Sequence, residues 1–346
     1  MSQQQHIIKN EKQEVNTLKS KQSTQQKSPA LIAIPKPLEQ LSESEIERKS
    51  CIGKVMTHTL KNLTSTFITN GFHWLLPVAL SRSTDPLWPD PGASIEKRVE
   101  VEIYGKTVRT TASMIIHKLI ASSLAYPKLF ILSPNIRIEK ADRACTGLHV
   151  YEFTQLDFEV RNATSKDIIS LVEDALCELI SSLKRDMKDE LTCLGRYSTL
   201  KVPKKPFKPY DRQELEAKYG ADWESHLFEK TNDPVWVTNI PREFYDFEDF
   251  KTGKWDNYDL FLPKYGEVLS GAKREWEYKK IIKKIERDKI SKEQYELLLT
   301  LAKQGKLKPC AGAGIGMERL VGWITGAKHI GETQPFPKIP GTVYEL

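Results

Sequence analysis

The chain has 346 residues, a formal net charge of +6, 39% hydrophobic and 28% charged residues. That is enough to bury a sizeable core in one large domain or two, and the basic balance suits anionic ligands without by itself indicating nucleic acid. Five cysteines, an odd number with no C-x-x-C pair, exclude a disulfide framework and a zinc ribbon, and no apolar run approaches the roughly 18 residues of a membrane span; a reducing cytoplasm is the simplest setting.

Residues 1–40 are rich in Gln, Ser and Lys and read as a disordered polar tail, because they cannot bury enough surface to offset the entropy of ordering. Order is expected from Leu41-Ser42-Glu43, where serine before acidic residues marks a helix start. Val55, Leu60, Leu63, Phe67 and Ile68 then follow helical spacing as far as Phe72. Val99–Val108 reads as a hairpin turning near Gly105, and 113–126 as a helix. Leu129–Leu132 and Ile136–Glu139 are strand material on either side of Pro134, and Glu152–Val160 alternates like a strand. Ile168–Met187 is an amphipathic helix. The stretch 205–232 reads as a helical insertion, 236–240 and 258–262 as strands, and Lys273–Lys306 as charged helix. Strands among long helices, without regular βαβ alternation, give an α+β fold with a mostly antiparallel sheet over 41–346.

Three segments carry possible chemistry. Arg137-Ile138-Glu139 places opposite charges on one strand face, and on the following strand Phe153, Gln155, Asp157 and Glu159 share a face. Glu267-Val268-Leu269-Ser270 supplies hard oxygen donors of the kind Mg²⁺ on a nucleotide takes, and Arg274 a fork for a carboxylate. Gly312, Gly314 and Gly316 alternate before Glu318-Arg319, so that a planar ligand can approach the backbone and a guanidinium can meet phosphate at a strand-to-helix junction. Taken singly, each also suits an ordinary reading: a solvated hairpin face, a charged loop entering a helix, a glycine turn.

In this order the segments resemble the catalytic domain of class II aminoacyl-tRNA synthetases, aspartyl/asparaginyl branch. His58–Pro77 resembles that class's first motif, Arg137–Glu159 its second and Gly312–Leu320 its third; Glu267–Arg274 matches the branch pattern Glu-x-x-Ser-Gly-x-x-Arg. The resemblance implies ATP and Mg²⁺ as cofactors. It implies that Arg137 binds the α-phosphate as catalytic residue, that Glu139 accepts from the adenine amino group, and that His149 lies in the ATP site. Phe153 would stack on one adenine face, with Arg319 on the other and reaching the γ-phosphate as a second catalytic residue. Gly316 would lie under the nucleotide. Glu267 would hold the metal with Ser270 at its side, and Ser113, Lys118, Asp157, Ser270 and Arg274 would hold the amino acid. Met114-Ile115-Ile116-His117 replaces the family's Pro-Gln-Leu-Tyr, and no residue between Pro89 and Glu100 is assigned to the family's upstream acid.

Retention of Lys118 with Arg274 suits an aspartate carboxylate better than a carboxamide. An anticodon-reading OB barrel needs about a hundred residues in five strands, and the polar segment before the first motif does not offer one. The sequence therefore resembles the archaeal asparagine synthetases related to asparaginyl-tRNA synthetase, in which aspartate is adenylated by ATP and ammonia attacks the adenylate; Pro241–Asp246 and Asn257–Leu260 also resemble that group. A truncated tRNA-charging enzyme using the Lys201–Lys208 cluster ranks below it, and a paralogue without catalysis third. A homodimer is expected through the first-motif helix and strand, with Phe67, Phe72, Trp74 and Leu76 as its apolar surface.

Overall fold

The computed structural model describes residues 32–87, 95–263 and 265–346. Most of the expected polar tail and half of the stretch searched for the upstream acid, residues 89–94, lie outside the described residues. Ala33–Leu346 forms one compact unit.

A capping box starts the first helix, α1 (Glu43–Thr69). Ser42 Oγ accepts from the Glu45 amide, and the Glu45 carboxylate reaches back to the Ser42 amide at 2.8 Å, an arrangement stabilising the helix by about 1 kcal/mol. Cys51, Ile52, Val55, Leu63 and Phe67 form its buried stripe. The chain continues through β1 (His73–Leu75), α2 (Ile115–Leu124), β2 (Lys128–Ile136), β3 (Glu152–Arg161) and α3 (Ser165–Asp186). It then forms β4 (Lys208–Asp211), α4 (Arg212–Tyr219), α5 (Trp223–Lys230), β5 (Val235–Thr238), β6 (Asn257–Leu262) and β7 (Gly266–Lys273). Helices α6 (Tyr278–Arg287) and α7 (Glu296–Lys303) precede β8 (Cys310–Gly316) and α8 (Met317–Thr325).

The eight strands form one sheet in the order β1-β2-β3-β8-β7-β6-β5-β4. Only the two outer pairs, β1 with β2 and β5 with β4, are parallel. Two expectations change here. Pro134 does not divide β2, which runs through it opposite Thr154; the Thr154 amide donates to the Glu318 carboxylate at 3.0 Å. The segment from Lys273 to Lys306 is not one helix. It leaves β7, turns through Trp276 and Glu277, and forms two helices, α6 and α7.

One face of the sheet is apolar. Leu156, Phe158, Val268, Leu269 and Ile315 pack there with α1 and α3, and the Phe67 ring sits 4.9 Å from Phe158 and 5.5 Å from Phe130. Phe67 and Phe72 thus fill the core of the subunit rather than an outer surface, at 1% and 7% exposure. Trp74 and Leu76 are the exposed pair, at 51% and 87%. Over the opposite face, at the β5 edge, Leu215 of α4 and Leu227 of α5 pack on Val235, Val237 and Phe261.

Between β6 and β7 the pairing slips. Leu260 faces Leu269, but Phe261 faces Glu267, so Val268 is an extra residue in β7. A bulge of this kind turns two neighbours to one side: Val268 and Leu269 both enter the core, while Glu267 and Ser270, three residues apart, share the opposite face.

Candidate active site

That opposite face holds two adjoining hollows. The first is lined by Arg137, Glu139, His149, Phe153, Gly316 and Arg319. The second is lined by Asp85, Ser113, Lys118, Asp157, Arg242 and Arg274. Arg137, Gln155, Glu267 and Gly314 line both and so form the seam between them. The residues nominated for nucleotide therefore converge on one hollow and those nominated for the amino acid on its neighbour.

In the first hollow Arg137 is fixed from two sides. Its Nε donates to the Ala112 carbonyl at 3.1 Å, and its guanidinium lies 5.2 Å from the Phe153 ring centroid, a cation–π arrangement. Arg319, at the start of α8, donates from Nη1 to the Glu267 carbonyl at 2.8 Å and from Nε to the Leu148 carbonyl at 3.3 Å. The backbone of β7 and of the loop before β3 thus aims the guanidinium. Glu139 lies 3.8 Å from Arg143. His149 Nε2 meets Arg143 Nη2 at 2.9 Å and Nδ1 meets Thr146 Oγ1 at 2.6 Å. Arginine can only donate, so Nε2 accepts and Nδ1 carries the proton. Burial first, and then Arg319 and Arg143, push this imidazole down to about 3; it is neutral at any physiological pH and contributes shape and dipole rather than charge. Glu318 is also buried and is pushed up to about 7 by burial, against the Thr154 amide it accepts.

The second hollow is a charge lattice. Lys118 Nζ donates to Asp157 Oδ1 at 2.8 Å and to the Ala313 carbonyl at 3.0 Å, with Glu159 at 3.8 Å. Arg274 donates to Glu159 at 3.2 Å, Asp246 at 2.6 Å and the Gly312 carbonyl at 3.2 Å. Each of these side chains is at least 95% buried. Buried acids need partners, and here each cation holds more than one. Asp157 Oδ2 remains without a hydrogen bond. Ser113 Oγ accepts from the Ile115 amide at 3.2 Å, shaping the start of α2, on which Lys118 stands.

The glycines of β8 do something different from what the sequence suggests. A Cβ on Gly312 would meet the Glu159 carboxyl and the Phe158 carbonyl, and one on Gly314 would come within 2.8 Å of Asp157 Oδ1. Their missing side chains make room for the enzyme's own carboxylates. Only Gly316, whose Cβ would come no closer than 3.6 Å to any atom, leaves space toward the nucleotide hollow.

Three residues at the site carry roles that the sequence does not assign. Asp85 lines the amino-acid hollow and accepts from Tyr245 Oη at 3.1 Å; it precedes the stretch searched for an upstream acid. Asp259, on β6, stands directly opposite Ser270 of β7. Arg242, after β5, hydrogen-bonds to both Ser270 Oγ and Asp259 Oδ2. Strand pairing across β6 and β7 is the signal that links them, and it cannot be read from spacing along one segment.

The donor set suits Mg²⁺ on a nucleotide. Glu267 stands at the seam, its carboxylate takes no hydrogen bond from a described residue, and Asp259 Oδ1 is buried without a partner. Among the described residues no cluster of three or more His, Cys, Asp or Glu could hold a metal alone. Mg²⁺ takes one or two carboxylates and completes its shell with phosphate oxygens and water, so Glu267 and Asp259 would hold it only together with a nucleotide. Among the described residues no helix is long and apolar enough to cross a membrane.

Comparison with known proteins gives the family. Residues 93–340 match the model of class II tRNA synthetases (D, K and N). The asparagine–tRNA ligase of Thermoplasma acidophilum is 26% identical over 307 residues, covering 82% of this chain and 68% of that protein. That of Mycoplasma mobile is 29% identical over 250 residues, covering 64% of this chain but only 55% of that protein. Among solved structures, asparaginyl-tRNA synthetase from Pyrococcus horikoshii complexed with asparaginyl-adenylate superposes with a TM-score of 0.77 at 26% identity, over 90% of this chain and 76% of that one.

Proposed function

Since the chain belongs to the class II tRNA synthetases of the D, K and N type, we propose that its two hollows bind ATP and aspartate and join them as an aminoacyl-adenylate, releasing pyrophosphate. The observation that carries this is the shared seam: Arg137, Gln155, Glu267 and Gly314 line both hollows, where an α-phosphate and a carboxylate would meet. A carboxylate oxygen attacks the α-phosphorus, the new O–P bond forms as the bond to the pyrophosphate oxygen breaks, and Arg137 stabilises charge gathering on the α-phosphoryl oxygens. Arg319 sits where it can meet the outer phosphates. Mg²⁺, held by Glu267 and available to Asp259 Oδ1, would neutralise phosphate charge.

Aspartate is favoured by Lys118, a buried ammonium with two of its three donors spent on the protein, because the donor that remains makes a stronger, charge-assisted bond to a carboxylate than to a carboxamide. Asparagine, the substrate in the names of the relatives, has its own support in Asp157 Oδ2, a buried acceptor without a donor. For the second step the relatives favour transfer of the α-acyl group to tRNA over the ammonia reaction expected from the sequence. A specific feature keeps ammonia as the second reading. Glu243, Asp85 and Asp246 all line the amino-acid hollow, an acidic cluster that attracts a small cation such as ammonium.

One experiment separates these. Protein, ATP and Mg²⁺ are incubated with radiolabelled aspartate or asparagine, with tRNA, with ammonium, or with neither. Aspartate-dependent pyrophosphate exchange without tRNA or ammonium is expected, followed by aminoacylated tRNA on adding tRNA. Free asparagine formed from aspartate and ammonium would establish the second reading. No exchange with either amino acid would overturn the adenylation proposal.

We also propose that a second copy of the chain covers exposed Trp74 and Leu76, which lie at and just beyond β1, the sheet's outer strand. Light scattering should give twice the 39.6 kDa chain mass, and Trp74→Glu with Leu76→Glu should halve it; a monomeric parent would end the idea.

A further inference from the structure

Arg242 is given no role by the family resemblance, yet it lines the amino-acid hollow beside Glu267, one of the residues that line both. Its guanidinium spans two neighbouring strands, bonding Ser270 Oγ of β7 and Asp259 Oδ2 of β6. Those two residues are directly paired in the sheet, so their side chains rise side by side on the ligand face. The bulge at Val268 brings Glu267 to that same face. Three oxygen-bearing side chains therefore surround one spot, and a protein cation already occupies part of it. Asp259 is 4% exposed at its side chain and Arg242 15%, and a carboxylate so buried is costly without a positive partner. Only one Asp259 oxygen is engaged by Arg242; Oδ1 is buried and unpartnered, pointing to a further ligand.

We propose that Arg242 is a resident cation that holds the Asp259–Ser270 seat closed to divalent metal until nucleotide phosphates arrive. With the guanidinium in place, Glu267 and one oxygen of Asp259 are left, too few for a metal to bind on protein oxygens alone. A divalent ion beside the guanidinium is also repelled by it. Phosphate oxygens supply both the missing ligands and the negative charge that lets the two cations coexist. Metal thus enters as part of the metal–nucleotide complex, and Ser270 acts by anchoring Arg242 rather than as a metal ligand in the nucleotide-free protein. The inference rests on the ATP reading for its purpose, but its test uses neither ATP turnover nor amino acid.

The test is Mn²⁺ binding to the full chain without nucleotide, read by the electron paramagnetic resonance signal of free Mn²⁺. Wild type should bind weakly. Arg242→Ala should bind at least about tenfold more tightly, the scale on which groups around a metal site act. Adding Asp259→Asn should remove the gain, while Arg242→Lys, which keeps a positive charge, should resemble wild type. Arg242→Gln, of similar size but neutral, serves in place of Arg242→Ala if circular dichroism shows the alanine variant unfolded. Equal Mn²⁺ binding by wild type and the neutral variant, or a gain that survives Asp259→Asn, overturns the proposal. Failure of the adenylation reading would leave this result unchanged and would show only in pyrophosphate exchange.

Discussion

Arg137→Ala is expected to slow ATP–pyrophosphate exchange by about 10²–10³, the range found when a preorganised charge-stabilising donor is removed from a transition state. The size of the loss follows from how the side chain is held. Its Nε is committed to the Ala112 carbonyl and its flat face to the Phe153 ring, so the remaining guanidinium donors are aimed at the seam before substrate arrives. Alanine removes that charge and its orientation together. Arg137→Lys should recover only part, because an ammonium restores the charge but not the planar fork. Neither change strands a buried acid, so both variants should melt within about 1 kcal/mol of the parent, as substitutions away from buried networks do. Exchange within tenfold of wild type in Arg137→Ala would remove Arg137 from the chemistry.

Arg274→Met is expected to act on the fold instead. The guanidinium is 5% exposed and bridges Glu159 and Asp246, which are 0% and 2% exposed. Removing one partner of a buried ionic cluster costs about 3–5 kcal/mol, because the acids left behind are desolvated and unpaired. Methionine matches the length but carries neither charge nor donors. Urea unfolding followed by tryptophan fluorescence should show the unfolding free energy falling by that amount. Arg274→Lys should fall between. An Arg274→Met unfolding free energy within about 1 kcal/mol of the parent would mean that the lattice is not coupled as its distances imply.

The two replacements show why some of the site could be read from sequence and some could not. Phe153, Asp157 and Glu159 lie on β3, where a period of two puts them on one face, and its pairing with β2 keeps that alternation; Arg137 instead falls just beyond β2, and Glu139 lies in a short strand paired with Ile95, so strand alternation is not what brings these two to the hollow. Glu267 and Ser270 are three apart, a spacing that regular strand geometry would split between faces. Only the slip at Val268 reunites them, and a bulge leaves no mark in composition. Arg242 lies in the segment Pro241–Asp246 noted in the sequence, but its role could not be read there, because its partners are 17 and 28 residues away along the chain and become neighbours only through pairing of β6 with β7. The glycines of β8 were seen as clearance, correctly, but for a ligand; the occupants of two of the three spaces are carboxylates from β3. Phe67 and Phe72 carry the same apolarity as Trp74 and Leu76, and hydrophobicity alone does not say which pair faces inward. The packing of α1 against Phe130 and Phe158 decides it.

The slip in β7 has a mechanical meaning. A strand with strict pleat would deliver either Glu267 or Ser270 to the ligand face and sink the other among Leu260, Leu269 and Ile315. Here one inserted residue works as a half-turn in the strand, and the side chain that occupies the insertion, Val268, packs into the core beneath the hollow it shapes. The count of residues between the carboxylate and the hydroxyl is therefore a design variable in its own right, separate from their identity: chain length sets the aim, and chemistry acts only after the aim is set.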